Sequence, residues 1–202
     1  EFMKMDFYVN ENVLIPRPDT EILVEEVIEI AKKVQKPKIL DLCTGSGAIA
    51  ISIAKNVPNA EVYAVDISEK ALEVARKNAK NLIANVKFIK SNLFNNVKKM
   101  KFDIIVSNPP YIKKEDIKLL SNEVQKEPEL ALDGGYDGLD FYRKITNQAI
   151  EYLKFEGYLC FEIGFDQKED VIKIIENEEN YKNIYSKKDL YGNDRIIISK
   201  VN

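Results

Sequence analysis

The chain has 202 residues, with 30 Lys+Arg against 33 Asp+Glu, a net charge of −3, 45% hydrophobic residues and neither His nor Trp. These values fit one globular domain with its own core rather than a disordered chain, no apolar run approaches the ~20 residues of a membrane span, and EFMKMDFYVN lacks the apolar run of a signal peptide. Without His a His-based triad is excluded, while Cys43 and Cys160 are too far apart in sequence to form a ligand cluster, so no metal site is expected and the thiols suit a reducing cytoplasm.

Residues 5–15 alternate loosely around Asn-Glu-Asn and predict a short β-hairpin. Pro16 and Pro18 break the backbone, and Asp19 or Thr20 is placed to cap a helix whose apolar residues Ile22, Leu23, Val27, Ile30, Ala31 and Val34 recur at helical spacing until Pro37. Strand and helix patterns then alternate. KILDL (38–42) precedes a Gly-rich turn and the helical AIAISIAKN, and EVYAVDI (61–67) precedes a helix over 68–82 with Ser68 as N-cap. VKFIK (86–90) and FDIIVSN (102–108) read as strands, 140–153 as a helix, YLCFEI (158–163) as a strand and QKEDVIKIIENEE as a helix. NIYSKKDL and DRIIISKV predict a final antiparallel pair. This order implies an α/β, doubly wound, Rossmann-like and mostly parallel sheet. Residues 109–138 form a long irregular connection, the kind that often carries function.

Two motifs carry chemistry. In DLCTGSGAIA (41–50) a strand turns through Gly45-Ser46-Gly47 into a helix, and Asp66 ends the following strand, placed to accept hydrogen bonds from the two hydroxyls of a ribose. The acidic Asp41 ahead of the glycines would repel a pyrophosphate and suit a cationic ligand, which favours S-adenosylmethionine over NAD. In SNPPYI (107–112), Asn108 offers a side-chain carbonyl, Pro109 and Pro110 present a stiff backbone without N–H donors, and Tyr111 adds a planar face. Such a corner can accept both N–H bonds of a planar amino group. Each motif alone also reads as ordinary packing, a strand–turn–helix corner or a proline-terminated strand. Their combination on one sheet edge points to nucleoside-cofactor chemistry on nitrogen.

Asp41–Gly47, Asp66 and Asn108-Pro109-Pro110-Tyr111 resemble the class I S-adenosylmethionine methyltransferases that modify amino nitrogens, and VLIPRPDTE (13–21), NPPYI and EPELALDGGYDGLDFYR (127–143) resemble more narrowly the HemK/PrmC family. The resemblance covers essentially the whole chain. It implies a class I methyltransferase fold and methylation of the side-chain amide of the Gln in the Gly-Gly-Gln motif of peptide chain release factors. No membrane or direct nucleic-acid partner is expected. It further implies residues 1–16 as part of a β-hairpin linker and 17–202 as the methyltransferase domain, a catalytic-domain fragment of a family that also carries an N-terminal helical domain. Expected cofactor contacts are Asp41, Cys43, Thr44, Gly45, Ser46, Gly47, Asp66, Ile67, Asn92, Leu93 and Asn108. Ile67 and Leu93 would flank the adenosine, and Asn108, Pro109, Pro110 and Tyr111 would bind substrate, with Asn108, Pro109 and Tyr111 acting in catalysis. Arg17, Thr20 and Glu21 are expected to close over the site, and Asp133, Tyr136 and Asp137 to belong to a substrate-side loop. Two departures stand out: Cys43 replaces a frequent Gly, and Asn92 replaces a frequent Asp. The runner-up is a nucleic-acid amino-methyltransferase using the same NPPY. The acidic balance and the scarcity of arginines (Arg17, Arg76, Arg143, Arg195) weigh against it. A non-catalytic cofactor-binding subunit would not need the NPPY corner, and a plain NAD module is disfavoured by Asp41.

Overall fold

The computed structural model describes residues 1–202. Seven strands form one sheet in the order β3-β2-β1-β4-β5-β7-β6. They are β1 (Lys38–Leu42), β2 (Glu61–Asp66), β3 (Val86–Lys90), β4 (Phe102–Ser107), β5 (Leu153–Glu162), β6 (Tyr181–Lys188) and β7 (Asp194–Val201). β1 to β5 run parallel, while β7 lies antiparallel between β5 and β6. The helices are α1 (Thr20–Ala31), α2 (Ala48–Asn56), α3 (Glu69–Asn81), α4 (Asp140–Ala149) and α5 (Lys168–Glu176). None is long and apolar enough to cross a membrane.

Strand side chains alternate between faces, which sorts the core into two layers. Leu40, Leu42, Val65, Ile105, Leu159 and Phe161 pack with Tyr142 and Ile145 of α4 and with Val171 and Ile175 of α5. Their neighbours Ile39, Val62, Ile104, Val106 and Cys160 pack on the other face, against Leu23, Val24 and Val27 of α1 and Ile49, Ala50 and Ile53 of α2. The crossovers from β1 and β4 leave in opposite directions, so the carboxyl ends of β1 and β4 bound the crevice where open α/β sheets bind ligands. Ser107 Oγ donates to the Leu42 carbonyl at 2.8 Å and pins those two ends together.

The elements differ from expectation at three places. The N-terminal hairpin is smaller and earlier than predicted: Phe2 and Met5 exchange backbone hydrogen bonds of 2.9 Å around Met3 and Lys4, both at positive φ. Residues 6–16 form no strand, because their backbone is used elsewhere: Tyr8 N–H donates to Asn78 Oδ1 of α3, and Asn78 Nδ2 donates back to the Tyr8 carbonyl. Neither Asp19 nor Thr20 caps α1 with its side chain; Asp19 pairs with Arg195 at 3.2 Å and Thr20 reaches Glu162. Finally, α4 stops at Ala149, since Leu153 already pairs with Phe102 as the start of a longer β5. Ser68 caps α3 as expected, accepting from Ala71 N–H at 3.2 Å.

Candidate active site

Two adjoining cavities open at the carboxyl edge of the sheet. The first is a cleft enclosing about 1080 Å³, space open to solvent included, between the β1–α2 turn, the end of β2, the segment after β3 and a roof from residues 12–17. The second lies beyond Asn108, under the 109–138 connection. Leu14, Arg17, Asn108 and Ala131 line both, so they mark the junction.

Of the expected cofactor contacts, Cys43, Thr44, Gly45, Ser46, Asp66, Ile67, Asn92, Leu93 and Asn108 line the first cleft, and so does Pro110, expected on the substrate side. Asp66 receives N–H bonds of 2.9 Å from Gly45 on Oδ2 and from Ser68 on Oδ1. Each carboxylate oxygen keeps further lone-pair capacity for a diol. Burial raises its pKa against those backbone donors. Exposed Ile67 and buried Leu93 supply apolar surface for a planar ring. Gly45 (φ 54) has open space where a Cβ would stand, so the turn leaves room for a ligand beside its backbone. Cys43 adopts φ 60, a left-handed conformation that explains why Gly is the easier residue there. Burial pushes its thiol pKa up.

Two expected cofactor contacts do not line the cleft. Asp41 is fully buried, and its Oδ2 accepts from Thr44 Oγ1 at 2.6 Å. Strand parity points it to the helix-α1/α2 face together with Ile39, behind the turn rather than into it. It shapes the turn through Thr44, and burial lifts its pKa to about 7. Gly47 (φ 82) faces α3, where a Cβ would stand 2.9 Å from Ile51 Cδ1 and 3.1 Å from Ala75 Cβ, so its role is close helix packing.

Pro109 and Tyr111 line the second cavity with Asn108, whereas Pro110 turns to the first. Asn108 Nδ2 donates to Thr20 Oγ1 at 3.3 Å. Its Oδ1 takes no hydrogen bond from the protein and is not sealed off. The Pro109 carbonyl also accepts nothing from the backbone. Asn108 Oδ1, on a residue of the junction, and the carbonyl of Pro109, a residue lining the second cavity, thus both lack a protein donor. Burial raises the Tyr111 hydroxyl pKa, with Glu162 adding to it, so that hydroxyl stays protonated.

Arg17 and Thr20 line the site; Glu21 does not, because its carboxylate accepts from Met3 N–H at 2.6 Å. Asp133 and Asp137 make local turn bonds to the amides of Gly135 and Leu139, and Tyr136 is 91% exposed; none of the three lines either cavity. The glycines around them matter instead. A Cβ on Gly134 would stand 2.7 Å from Tyr111 Cα, and one on Gly138 2.5 Å from the Tyr111 carbonyl oxygen, so this stretch presses directly on the NPPY backbone.

Three further positions at the site were not legible from motifs. Glu162, at the end of β5, is 1% exposed, lines the second cavity and accepts from Thr20 Oγ1 at 2.5 Å. Burial raises its pKa to about 7, against Thr20 and Arg195, which favour the charged form. Glu127 joins the roof to the long connection by accepting from Arg17 at 2.7 Å and from Ile15 N–H at 3.2 Å. Gln167 Nε2 donates to the Tyr111 carbonyl at 2.9 Å. A signal for Glu162 does exist: in YLCFEI it shares the inward parity of Cys160, so a charge there is buried beside α1.

Fold and site together define a methyltransferase of the α/β class, and the family model for the methyltransferase small domain matches residues 18–136. Curated relatives extend over nearly all of the chain. One from Fusobacterium nucleatum named release factor glutamine methyltransferase is 49% identical over 99% of this chain and 57% of its own length. One of the same name from Clostridium acetobutylicum is 46% identical over 98% of this chain and 71% of its own. The solved structure of a release-factor-specific protein-(glutamine-N5) methyltransferase from Alicyclobacillus acidocaldarius aligns with a TM-score of 0.59 at 30% identity, covering 97% of this chain and 99% of that one. The chain belongs to the release factor glutamine methyltransferase family; it spans 57% to 71% of the length of those two curated relatives.

Proposed function

We propose that this chain transfers a methyl group from S-adenosylmethionine to the side-chain amide nitrogen, N5, of the Gln in the Gly-Gly-Gln motif of peptide chain release factors, in the cytoplasm. The observation that carries this is the pair of unpartnered acceptors, Asn108 Oδ1 on a residue where the two cavities meet and the carbonyl of Pro109, which lines the second cavity beside it. The first cleft fits the cofactor: Asp66 would hold the ribose hydroxyls, Ile67 and Leu93 would flank the adenine, and Asn92, which lines the same cleft, would meet its edge. When bound, the cofactor supplies an electrophilic methyl group on a sulfonium.

A carboxamide nitrogen is a poor nucleophile because its lone pair is shared with its carbonyl. The two acceptors would bind its two N–H groups, aim the nitrogen at the first cleft and favour its pyramidal form. Positioning of this kind contributes up to roughly 7–11 kcal/mol in favourable intramolecular cases. The same oxygens would stabilise positive charge growing on the nitrogen. Tyr111 would pack on the amide plane, its carbonyl held by Gln167. The proton leaves after transfer, when the nitrogen is strongly acidic. The test is mass spectrometry of a release factor incubated with this chain and methyl-labelled cofactor, with ribosomal RNA and DNA as parallel substrates. Label on the Gly-Gly-Gln glutamine is expected; label only on nucleic acid would overturn the assignment.

A further inference from the structure

Asn108 can serve as an acceptor only if its amide is turned the right way round. An Asn side chain has two nearly isosteric ends, and a flip exchanges an acceptor for a donor. In this molecule the flip is opposed by a buried chain of hydrogen bonds. Thr20 Oγ1 stands 2.5 Å from Glu162 Oε2 and 3.3 Å from Asn108 Nδ2, with Thr20 only 4% and Glu162 only 1% exposed. A hydroxyl has a single proton. An ionised carboxylate has none to give, so the Thr20 proton lies on the Glu162 side and lone pairs face Asn108. Only the NH2 end of Asn108 can meet them. The oxygen end is thereby turned to the cavity junction, where it has no protein partner.

We propose that Thr20 and Glu162 form a polarity clamp that fixes the Asn108 amide with its oxygen toward the substrate, which makes them positioning residues for methyl transfer. The proposal rests on the functional reading above, in which Asn108 accepts a substrate N–H. It also accounts for two features that packing alone does not: a carboxylate at an inward position of an otherwise apolar strand end, and a helix-α1 first residue whose hydroxyl is spent on a partner 142 positions away rather than on capping its own helix.

The test compares wild type with Thr20→Val, which keeps the shape and removes the hydroxyl, and with Thr20→Ser, which keeps the hydroxyl. In a chain labelled with ¹⁵N-Asn, the Asn108 side-chain NH2 should exchange slowly with solvent in wild type and Thr20→Ser and quickly in Thr20→Val. In the release-factor assay, Thr20→Val should lower kcat by about tenfold or more, the effect of one lost net interaction of ~1.4 kcal/mol. Cofactor KM should stay within about threefold, and Thr20→Ser should restore kcat. Thermal melts identify a variant that has not folded, in which case Thr20→Ala carries the same readouts. Unchanged exchange and unchanged kcat in the hydroxyl-free variant would overturn the clamp. A wild-type chain that leaves the glutamine unmethylated while showing slow Asn108 exchange would instead count against the functional reading.

Discussion

Asn108 binds nothing of the cofactor cleft through its oxygen, since that atom faces the junction without a partner. Removing the side chain should therefore leave the cleft intact and strip the reacting nitrogen of one acceptor. Asn108→Ala is expected to lower kcat by about 10²–10³-fold, the scale seen when one preorganised hydrogen-bonding group is lost from a charge-stabilising site. Cofactor affinity, measured by calorimetry, should change by less than about threefold. A collapse of cofactor binding with turnover per bound complex preserved would contradict this role. At the residue scale, the sequence reveals a side chain's position where its immediate neighbours in the chain set it. Asp66 and the NPPY corner follow from strand ends and from proline stereochemistry. Asp41 lies away from the cleft lining, since distance along the chain from the glycines does not say which face of β1 its carboxylate takes. Alternation along KILDL places Asp41 with Ile39 on the face covered by α1 and α2.

At the scale of elements, the site is held by loops that press on one another. The segment 12–17 roofs the first cleft, the 109–138 connection covers the second, and buried Glu127 ties them through Arg17 and Ile15. Glu127→Ala should free the roof, leaving the Ile15 N–H and Arg17 without their acceptor. We expect cofactor dissociation in stopped-flow to speed up by about tenfold, with a stability loss of ~1–3 kcal/mol for the broken charge-assisted bonds. Behind the NPPY corner, Gly138 (φ 77) lies against the Tyr111 carbonyl. Gly138→Ala would place a Cβ 2.5 Å from that oxygen and 2.9 Å from Gln167 Nε2 in a backbone region unfavourable to side chains. The expected cost is roughly 1–3 kcal/mol in chemical denaturation, with turnover falling as the corner shifts. The helices and strands around these loops were readable because their periodicity is local. The loops were not: the Tyr8–Asn78 and Ile15–Glu127 bonds join residues 70 and 112 positions apart, and a hairpin pattern over 5–15 cannot reveal that its backbone is already engaged.

Over the whole molecule, ionisation and folding are coupled most strongly where carboxyls lie under the sheet. Asp41 and Glu162 both point to the helix-α1/α2 face, both are at most 1% exposed, and burial lifts each to about 7 from ordinary values of 3.8 and 4.5. A carboxyl whose pKa rises on folding binds its proton more tightly in the native state. Its stabilising contribution is thus complete below pH ~4 and is lost as pH rises through about 7. Since a tenfold change in proton affinity is worth roughly 1.4 kcal/mol, each group contributes up to about 3–4 kcal/mol. Carboxyls held low by exposed pairs, such as Glu61 with Lys87 and Asp137 with Arg143, act in the adjacent window. They lose stabilisation only as pH falls from about 4 toward 2, and solvent screening keeps them weak. These directions together place the stability maximum near pH 4–5 rather than at neutrality. Melting temperatures recorded from pH 4 to pH 8 should fall on the alkaline side in wild type, and the Asp41→Asn, Glu162→Gln double variant should flatten that limb. Activity should move the other way, because the Glu162–Thr20–Asn108 chain has its required polarity only when Glu162 is ionised. Burial opposes that ionisation, Arg195 favours the charged form and Asp19 disfavours it, and Thr20 hydrogen-bonds the carboxylate. A pH–rate profile for glutamine methylation should accordingly rise through about pH 7 while the melting temperature declines, and a profile flat across that range would show that Glu162 does not change charge there.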